Sequence, residues 1–589
     1  MKSFAYTMRC AGQAFCKVYR FHKPVVLLSL FVYLMVALQS NIGIYLSKRI
    51  VDQLAGNNLY LLMGSIALLL SFQLVRLLLE TYSQLKSRRM HMAFAVHCEN
   101  ELIDLVAKTE LLDKEHPQFT GDFSYWSFIN GKYLESYSTV TQFVKQGLIA
   151  AISLGYLLYY HLYIGLLALL VGTLKGIYDL RAVRRRVAIN EEMMRQSRGY
   201  HYYFDLLTGS QTQKEMALFQ LVPYFRQKWL RKKEEANALS MQLEALNLKR
   251  QASGELLSII SSGFVIVMTA LLIYKGSLTI GDYVAITMAL TMTESNITMM
   301  FASISKLTEN AAHIERLSKI ESGVHAAARL PEQAEPRPFR FQEELRIHNL
   351  TFRYPNRDEP ALTGINAEIR KGEMIAILGG NGSGKSTLVK LLLGLYRSDT
   401  DAILYDGVSV RQLDRVGMWR KTSAVFQDYI RYMTDVRDNI AVGNIAEVHN
   451  TDKLHSVLAK VGLSKTFKHG LDTKLGTLED NAVNLSGGQW QRLALSRVFV
   501  SEEHELVVFD EPTSALDPVS EVRLMNEMLE HCRGKTVLMV SHRVGIARRA
   551  DRIFVMESGR IAEAGTHDEL LHKQGLYHEM WHQQKQWYD

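Results

Sequence analysis

Gly379-Gly380-Asn381-Gly382-Ser383-Gly384-Lys385-Ser386-Thr387 is the stretch on which the reading of this chain turns. The apolar run 374–378 precedes it, and a helical pattern follows to about residue 395. A strand, a Gly-rich turn and a helix in that order make a phosphate-binding loop. The glycines let backbone N–H groups curl around phosphate oxygens, and the helix N-terminus adds a positive dipole. Lys385 is placed to reach β- and γ-phosphates, and the Ser386 hydroxyl to ligate magnesium. A Gly-rich turn of no function would not need all four features in register.

A second acidic element follows the first. The apolar run 506–509 ends in Asp510-Glu511. Alone this is a weak signal. Behind a phosphate-binding loop it fits a nucleotide hydrolase, with Asp510 holding magnesium and Glu511 orienting the attacking water. Around both motifs, short apolar runs bounded by turns alternate with helical patterns, as in an α/β domain.

Upstream the character changes. Hydrophobic residues make up 48% of the 589 and charged residues 22%, but this average hides two unlike halves. Six stretches approach the roughly 20 apolar residues that a membrane-spanning helix needs. They are 24–46, 59–82, 140–160, 162–177, 256–274 and 283–304, the last weakened by Glu294 and Asn296. Three links between them are short. Two are long, 83–138 and 178–254, and both begin with basic clusters (Lys86, Arg88 and Arg89; Arg181, Arg184, Arg185 and Arg186). The positive-inside rule puts the long links in the cytosol, and an even number of spans puts both termini there too. Their composition favours helices that continue out of the bilayer, broken near 116–123 and 206–211. Glu294 sits among Met288, Met292, Met299 and Met300 and is expected either to line a wet interior or to touch cargo.

The formal net charge is +8, and the basic residues sit at the ends of apolar stretches. That favours membrane orientation over nucleic-acid binding. Cys10, Cys16, Cys98 and Cys532 have neither zinc-site nor disulfide-framework spacing, so reduced thiols are expected. No cleavable signal peptide is visible.

Five further motifs, in the order the family shows, make the chain resemble the ABC transporters. Leu485-Ser486-Gly487-Gly488-Gln489 matches their signature motif. Gln427 matches their Q-loop, Asp517 in Ser514-Ala515-Leu516-Asp517 their D-loop, His542 their switch histidine, and Tyr354 the aromatic that stacks on adenine. The resemblance covers about 345–576. The layout upstream is similar to exporter-type half-transporters, and so is 276–281 between the last two apolar stretches. The implied fold is multidomain: an all-α six-helix transmembrane domain over 1–308, a linker over 309–342, and an α/β P-loop NTPase domain with the ABC helical subdomain over 343–589.

The resemblance also implies a mechanism. ATP and Mg2+ are expected, the ATP held by residues 379–387 and Tyr354 of one chain and by Ser486, Gly487, Gly488, Gln489 and Asp517 of another. Magnesium would sit at Ser386, Gln427 and Asp510, with Glu511, His542 and Gln427 as the catalytic set. One chain has half of each site, so a dimer is expected. A homodimer is the simpler reading because no motif is degenerate, with a heterodimer as the alternative. The turns near 119–123 and 206–211 are the candidate coupling elements. The chain is expected in the cytoplasmic membrane, multi-pass, with its ATPase domain in the cytosol.

Cargo is read from small departures. Residues 475–484 lack the family's usual Gly-Glu-x-Gly form, and the local sequences at 426–432 and 489–495 are similar to bacterial exporters of lantibiotic or lasso peptides. Only 23 residues precede Pro24, so no leader-trimming peptidase domain is expected. Export of a ribosomally made peptide is therefore the first expectation. Export or flipping of lipids or amphipathic drugs is the second, and a non-transporting, membrane-anchored ATPase the third.

Overall fold

The computed structural model describes residues 4–56, 59–115, 131–210, 212–328, 336–355, 357–398, 400–513 and 518–585. Contacts divide the chain into two compact units, one of Met1–Thr109 with His116–Ala328, the other of Glu110–Glu115 with Arg329–Asp589.

The first unit is helical: α1 (Phe4–Phe21), α2 (Lys23–Ala55) and α3 (Leu59–Lys108), then α5 (Gly131–Tyr160), α6 (Leu162–Thr208), α7 (Gln213–Leu218), α8 (Val222–Tyr274) and α9 (Ile280–Ala328). The short α4 (Leu111–Lys114) belongs to the second unit. Helix breaks fall where the chain offers a reason. His161 stands in extended conformation between α5 and α6, and Pro223 occupies the first turn of α8, where its missing N–H costs nothing.

Among the described residues, five helices are long and apolar enough to cross a membrane: α2, α3, α5, α6 and α8. α3 has 50 residues and α8 has 53. At 1.5 Å per residue each runs about 75–80 Å, far beyond the ~30 Å of a bilayer's hydrocarbon. α9 is 49 residues long but too polar to qualify. Several of its polar residues, Thr293, Glu294, Ser303 and Ser305 among them, are buried inside the unit. Glu294 is 4% exposed and accepts hydrogen bonds from Ser258 (2.9 Å) and Ser261 (2.7 Å) on α8, with Lys175 of α6 at 3.4 Å. Three turns along α9, Ser305 reaches Asp179 of α6 at 3.3 Å, and Asp179 also pairs with Arg250 and Arg186. Each buried charge thus has an opposite charge and hydroxyl partners, the condition under which such groups are tolerated. The charge of Glu294 is met within the chain rather than left facing an open cavity. Small residues let α6 and α9 approach: a Cβ on Gly176 would lie 2.0 Å from the Phe301 ring. α9 continues to Ala328, so the expected linker of 309–342 begins as a continuation of that helix.

The second unit holds two sheets. One has six strands in the order β10-β9-β3-β8-β7-β6, from β3 (Met374–Gly379), β6 (Thr422–Val425), β7 (Leu506–Asp510), β8 (Thr536–Val540), β9 (Arg552–Glu557) and β10 (Arg560–Gly565). Its strands are parallel except for β10. Every residue of β3, β7 and β8 is buried, which is why they read as unbroken apolar runs. The other sheet is antiparallel, β2-β1-β4-β5, from β1 (Glu344–Phe352), β2 (Leu362–Arg370), β4 (Ile403–Tyr405) and β5 (Val408–Ser409). Helix α10 (Lys385–Leu392) leaves β3 and packs between them, burying Leu388, Val389, Leu391 and Leu392. A second core, around Trp490, Leu493, Phe499 and Leu454, joins α11 (Gly487–Phe499) to the helices of residues 436–460. α12 (Pro518–His531), α13 (Val544–Ala547) and α14 (Leu576–Lys585) complete the elements used below.

Candidate active site

Four neighbouring parallel strands deliver the candidate residues to one edge. β3 runs into the phosphate-binding loop, β6 leads to Gln427, β7 ends at Asp510 before Glu511, and β8 leads to His542. The carboxyl edge of a parallel sheet is where such folds hold ligands.

The loop is shaped for an anion. Gly379 has φ +151°, and a Cβ there would lie 2.3 Å from the Met556 carbonyl oxygen and 2.7 Å from Ser383 Oγ. Only glycine fits. Gly382 and Gly384 also take positive φ, and Gly384 stands just before α10. Ser383 Oγ is buried with no hydrogen-bond partner among the described residues. Lys385 is 8% exposed, and its Nζ donates to the carbonyl oxygens of Gly379 (2.9 Å) and Gly380 (2.8 Å). Burial pushes its pKa below the usual lysine value, against the pull of Glu511 and Asp510. A buried cation with only carbonyl partners, beside an orphaned hydroxyl and a glycine cradle, is chemically matched to a polyphosphate.

The acidic side is equally specific. Burial raises the pKa of Asp510, a hydrogen bond from Ser386 and the charge of Lys385 lower it, and Glu511 and Asp428 raise it further. Glu511 has φ +51°, a left-handed conformation costing roughly 1–2 kcal/mol for a residue with a side chain. Its N–H donates to the Val540 carbonyl on β8 (3.0 Å). Both of its carboxylate oxygens are engaged: Gln427 Nε2 donates to Oε2 at 2.8 Å, and His542 Nδ1 lies 3.0 Å from Oε1. Lys385, Ser386, Asp510, Glu511, Gln427 and His542 are therefore brought together. Tyr354 follows β1, and its hydroxyl lies 3.0 Å from Thr387 Oγ1 on α10.

Ser486 and Gln489 are held elsewhere. They form a capping box at the start of α11: Gln489 N donates to Ser486 Oγ (3.3 Å), and Ser486 N donates to Gln489 Oε1 (2.9 Å). Among the described residues, none of Ser486, Gly487, Gly488 and Gln489 hydrogen-bonds the phosphate-binding loop. Two side chains tie α11 to the site: Tyr429 donates to the Gly487 carbonyl (3.2 Å), and Gln491 to the Glu511 carbonyl (3.4 Å). Asp517 and residues 116–123 lie outside the described residues, as does Gln211 of the second expected coupling turn.

Three features escaped the sequence reading. Gln584 on α14 holds the loop of His542 at both ends, donating to the His542 carbonyl (2.5 Å) and accepting from Val544 N–H (2.8 Å). Arg543 next to His542 pairs with Glu521 of α12, which also accepts from Thr513 beside the Asp510-Glu511 turn (2.9 Å). The third is segment Glu110–Glu115. Glu115 accepts from Lys390 (3.1 Å) and from the hydroxyl of Tyr396, and Glu110 pairs with Arg397 (2.5 Å) and Arg415 (3.5 Å). No motif marks any of them, because each acts through one or two isolated hydrogen-bonding or charged side chains. Gln584→Ala is expected to lower the ATPase kcat about tenfold, the worth of two hydrogen bonds, with the KM for ATP within twofold. Steady-state ATPase assays read the split. A loss of melting temperature with kcat unchanged would give Gln584 a merely structural role.

A family profile described as "ABC transporter" matches residues 362–514. The subtilin transport ATP-binding protein SpaT of Bacillus subtilis is 30% identical over 435 residues, which are 73% of this chain and 70% of that one. The nisin transport ATP-binding protein NisT of Lactococcus lactis subsp. lactis is 29% identical over 72% and 70%. An ATP-dependent lipid A-core flippase of Pseudomonas fluorescens is 34% identical over 54% and 52%. Among solved structures, a bacterial Atm1-family ABC exporter with ATP bound superposes with TM-score 0.77 and 19% identity, covering 95% of this chain and 98% of that one. The fold is that of an ABC exporter, several apolar helices make the chain a multi-pass membrane protein, and the second unit binds and hydrolyses nucleotide to drive export. The nucleotide cradle, the family profile across it and a relative matched over most of both chains lead to one conclusion: this chain belongs to the ABC transporter family.

Proposed function

We propose that this chain exports a ribosomally made peptide across the cytoplasmic membrane, working as a homodimer with its ATPase unit and both termini in the cytosol. The observation that carries the cargo is the similarity over about 70% of their lengths to the subtilin and nisin transport proteins. Export or flipping of a lipid is the second reading, favoured by the lipid A-core flippase, which is matched over about half of its length. The domain layout behind both readings is six spans over 1–308, with α9 as the polar sixth, and an ATPase domain over 343–589.

The site's chemistry follows from its residues. Lys385 exchanges its two carbonyl partners for β- and γ-phosphate oxygens, and the 379–384 backbone cradles the rest. Ser386 and Asp510, already hydrogen-bonded, form the hard oxygen donor set that suits Mg2+, with Gln427 held on the adjoining Glu511; bound there, the ion would supply charge neutralisation on the phosphates. Glu511 positions the attacking water. In the structure both of its oxygens are tethered, so Gln427 and His542 hold the base back. His542 turning towards the γ-phosphate releases one tether and stabilises the transferring group. Ser486 and Gly488, at the positive end of α11, meet the γ-phosphate bound by the other chain.

Coupling has a physical route inside the second unit. Glu115 holds Tyr396, whose ring meets that of Tyr354 edge-on at 5.9 Å, and Tyr354 touches Thr387 behind the phosphate-binding loop. Displacing Glu110–Glu115 would therefore move the adenine platform. The turn near 206–211 is the second candidate coupling element, and Leu218 and Phe219 at the end of the α7 that follows it are exposed.

The test is transport into inside-out vesicles carrying the chain. A precursor peptide encoded beside the gene is the first substrate, and a fluorescent phospholipid the second. ATP-dependent peptide uptake with peptide-stimulated ATPase is expected. Lipid movement without peptide uptake would move the reading to the flippase.

A further inference from the structure

Where α1 turns into α2 at His22, a recess of about 480 Å³ opens between that corner and α3. Val25, Leu28, Met90 and Ala93 give it an apolar lining, which His22, Lys86 and Arg89 share. Among the described residues, no carboxylate lines it. Lys86 Nζ stands over the Tyr82 ring at 5.6 Å, and neither Lys86 nor Arg89 has an ion-pair partner among the described residues. The recess lies at a defined depth. The apolar stretch of α2 begins at 24 and that of α3 ends at 82, so both cross from apolar to charged sequence at this level. In a bilayer that level is the headgroup boundary.

Orientation by the positive-inside rule requires basic residues here, but it requires no recess. Arg88 makes the distinction. It is exposed in the same basic cluster as Lys86 and Arg89, yet it does not line the recess. Two cations, a histidine and an apolar trough match a molecule with one phosphate and a hydrocarbon tail.

We propose that this recess is a site for one anionic phospholipid, its phosphate held by Lys86, Arg89 and His22 and one acyl chain laid along Val25, Leu28 and Ala93. The site depends on α2 and α3 being membrane helices, as the fold implies. It belongs to the first unit, whereas the nucleotide site belongs to the second.

The experiment is native mass spectrometry of the full chain released from nanodiscs of equimolar phosphatidylcholine and phosphatidylglycerol. Wild type is expected to retain phosphatidylglycerol in preference to phosphatidylcholine. Each basic residue at an anionic surface contributes roughly a fivefold gain in affinity, so Lys86→Gln and Arg89→Gln should each weaken retention about fivefold, and together about 25-fold. Arg88→Gln should leave it unchanged. Ala93→Trp, which fills the trough without altering charge, should abolish it. Circular dichroism of each variant separates loss of the site from loss of the fold. Equal losses in Arg88→Gln, or full retention in Ala93→Trp, would reduce the attraction to diffuse surface charge and overturn the proposal. Wild type without phosphatidylglycerol preference would overturn it as well. A chain that fails to enter nanodiscs would instead break the membrane reading itself.

Discussion

Glu511→Gln should slow ATP turnover about a thousandfold while leaving ATP binding intact. The size follows from the role. A positioned general base is worth roughly 10²–10⁴ in rate, and the amide has no such basicity. The geometry survives because glutamine is the same shape and can still accept from Gln427. The backbone should also hold: the Glu511 N–H bonds the Val540 carbonyl and φ is +51°, and neither feature involves the carboxylate. In the proposed homodimer ATP should then persist between the two ATPase units, and the variant should accumulate as a nucleotide-filled dimer. ATPase activity in nanodiscs and the amount of ATP retained after gel filtration measure both halves. A variant that keeps more than a tenth of wild-type turnover would remove Glu511 from the chemistry. An inactive wild type would call for a partner subunit instead of a second copy.

Lys385→Ala should weaken ATP binding by two to three orders of magnitude. Its ammonium is the cation buried beside the glycine cradle, and truncating one partner of a buried charge pair costs about 2–5 kcal/mol. The pKa direction supports the same account. Burial holds Lys385 below its ordinary value, so the folded chain keeps a cation there at a cost that phosphate offsets. The sign has a corollary. Without nucleotide, removing the lysine removes that cost too, so the melting temperature of the variant should stay close to that of wild type. With ATP present, wild type should gain stability and the variant should not. Titration with a fluorescent ATP analogue, beside melting curves with and without ATP, reads both effects. Affinity within threefold of wild type would exclude Lys385 from the phosphate contacts.

The phosphate-binding loop was legible because its chemistry is local. Nine consecutive residues hold the glycines, the lysine and the serine, and the flanking strand and helix read from the same window. The apolar helices were legible for the same reason, since a run of side chains facing lipid leaves a continuous record in sequence. α9 shows the limit of that logic. Glu294 and its polar neighbours lower its hydropathy, and only the packing of α6 and α8 against it reveals how Lys175, Ser258 and Ser261 satisfy the charge.

By itself, then, the sequence determined the phosphate-binding loop, the apolar helices and the order in which the family's motifs occur. The tertiary structure decided who touches whom. Gln427 lies 84 residues from Glu511 and His542 lies 31 from it, and they meet because β6, β7 and β8 lie side by side in a parallel sheet. Gln584 reaches the loop of His542 because α14 returns to α13, and Glu110–Glu115 belongs with the ATPase unit although it follows α3 in the chain. Strand order and helix docking come from burying apolar faces against distant partners. That is a property of the whole chain, and no local window of residues contains it.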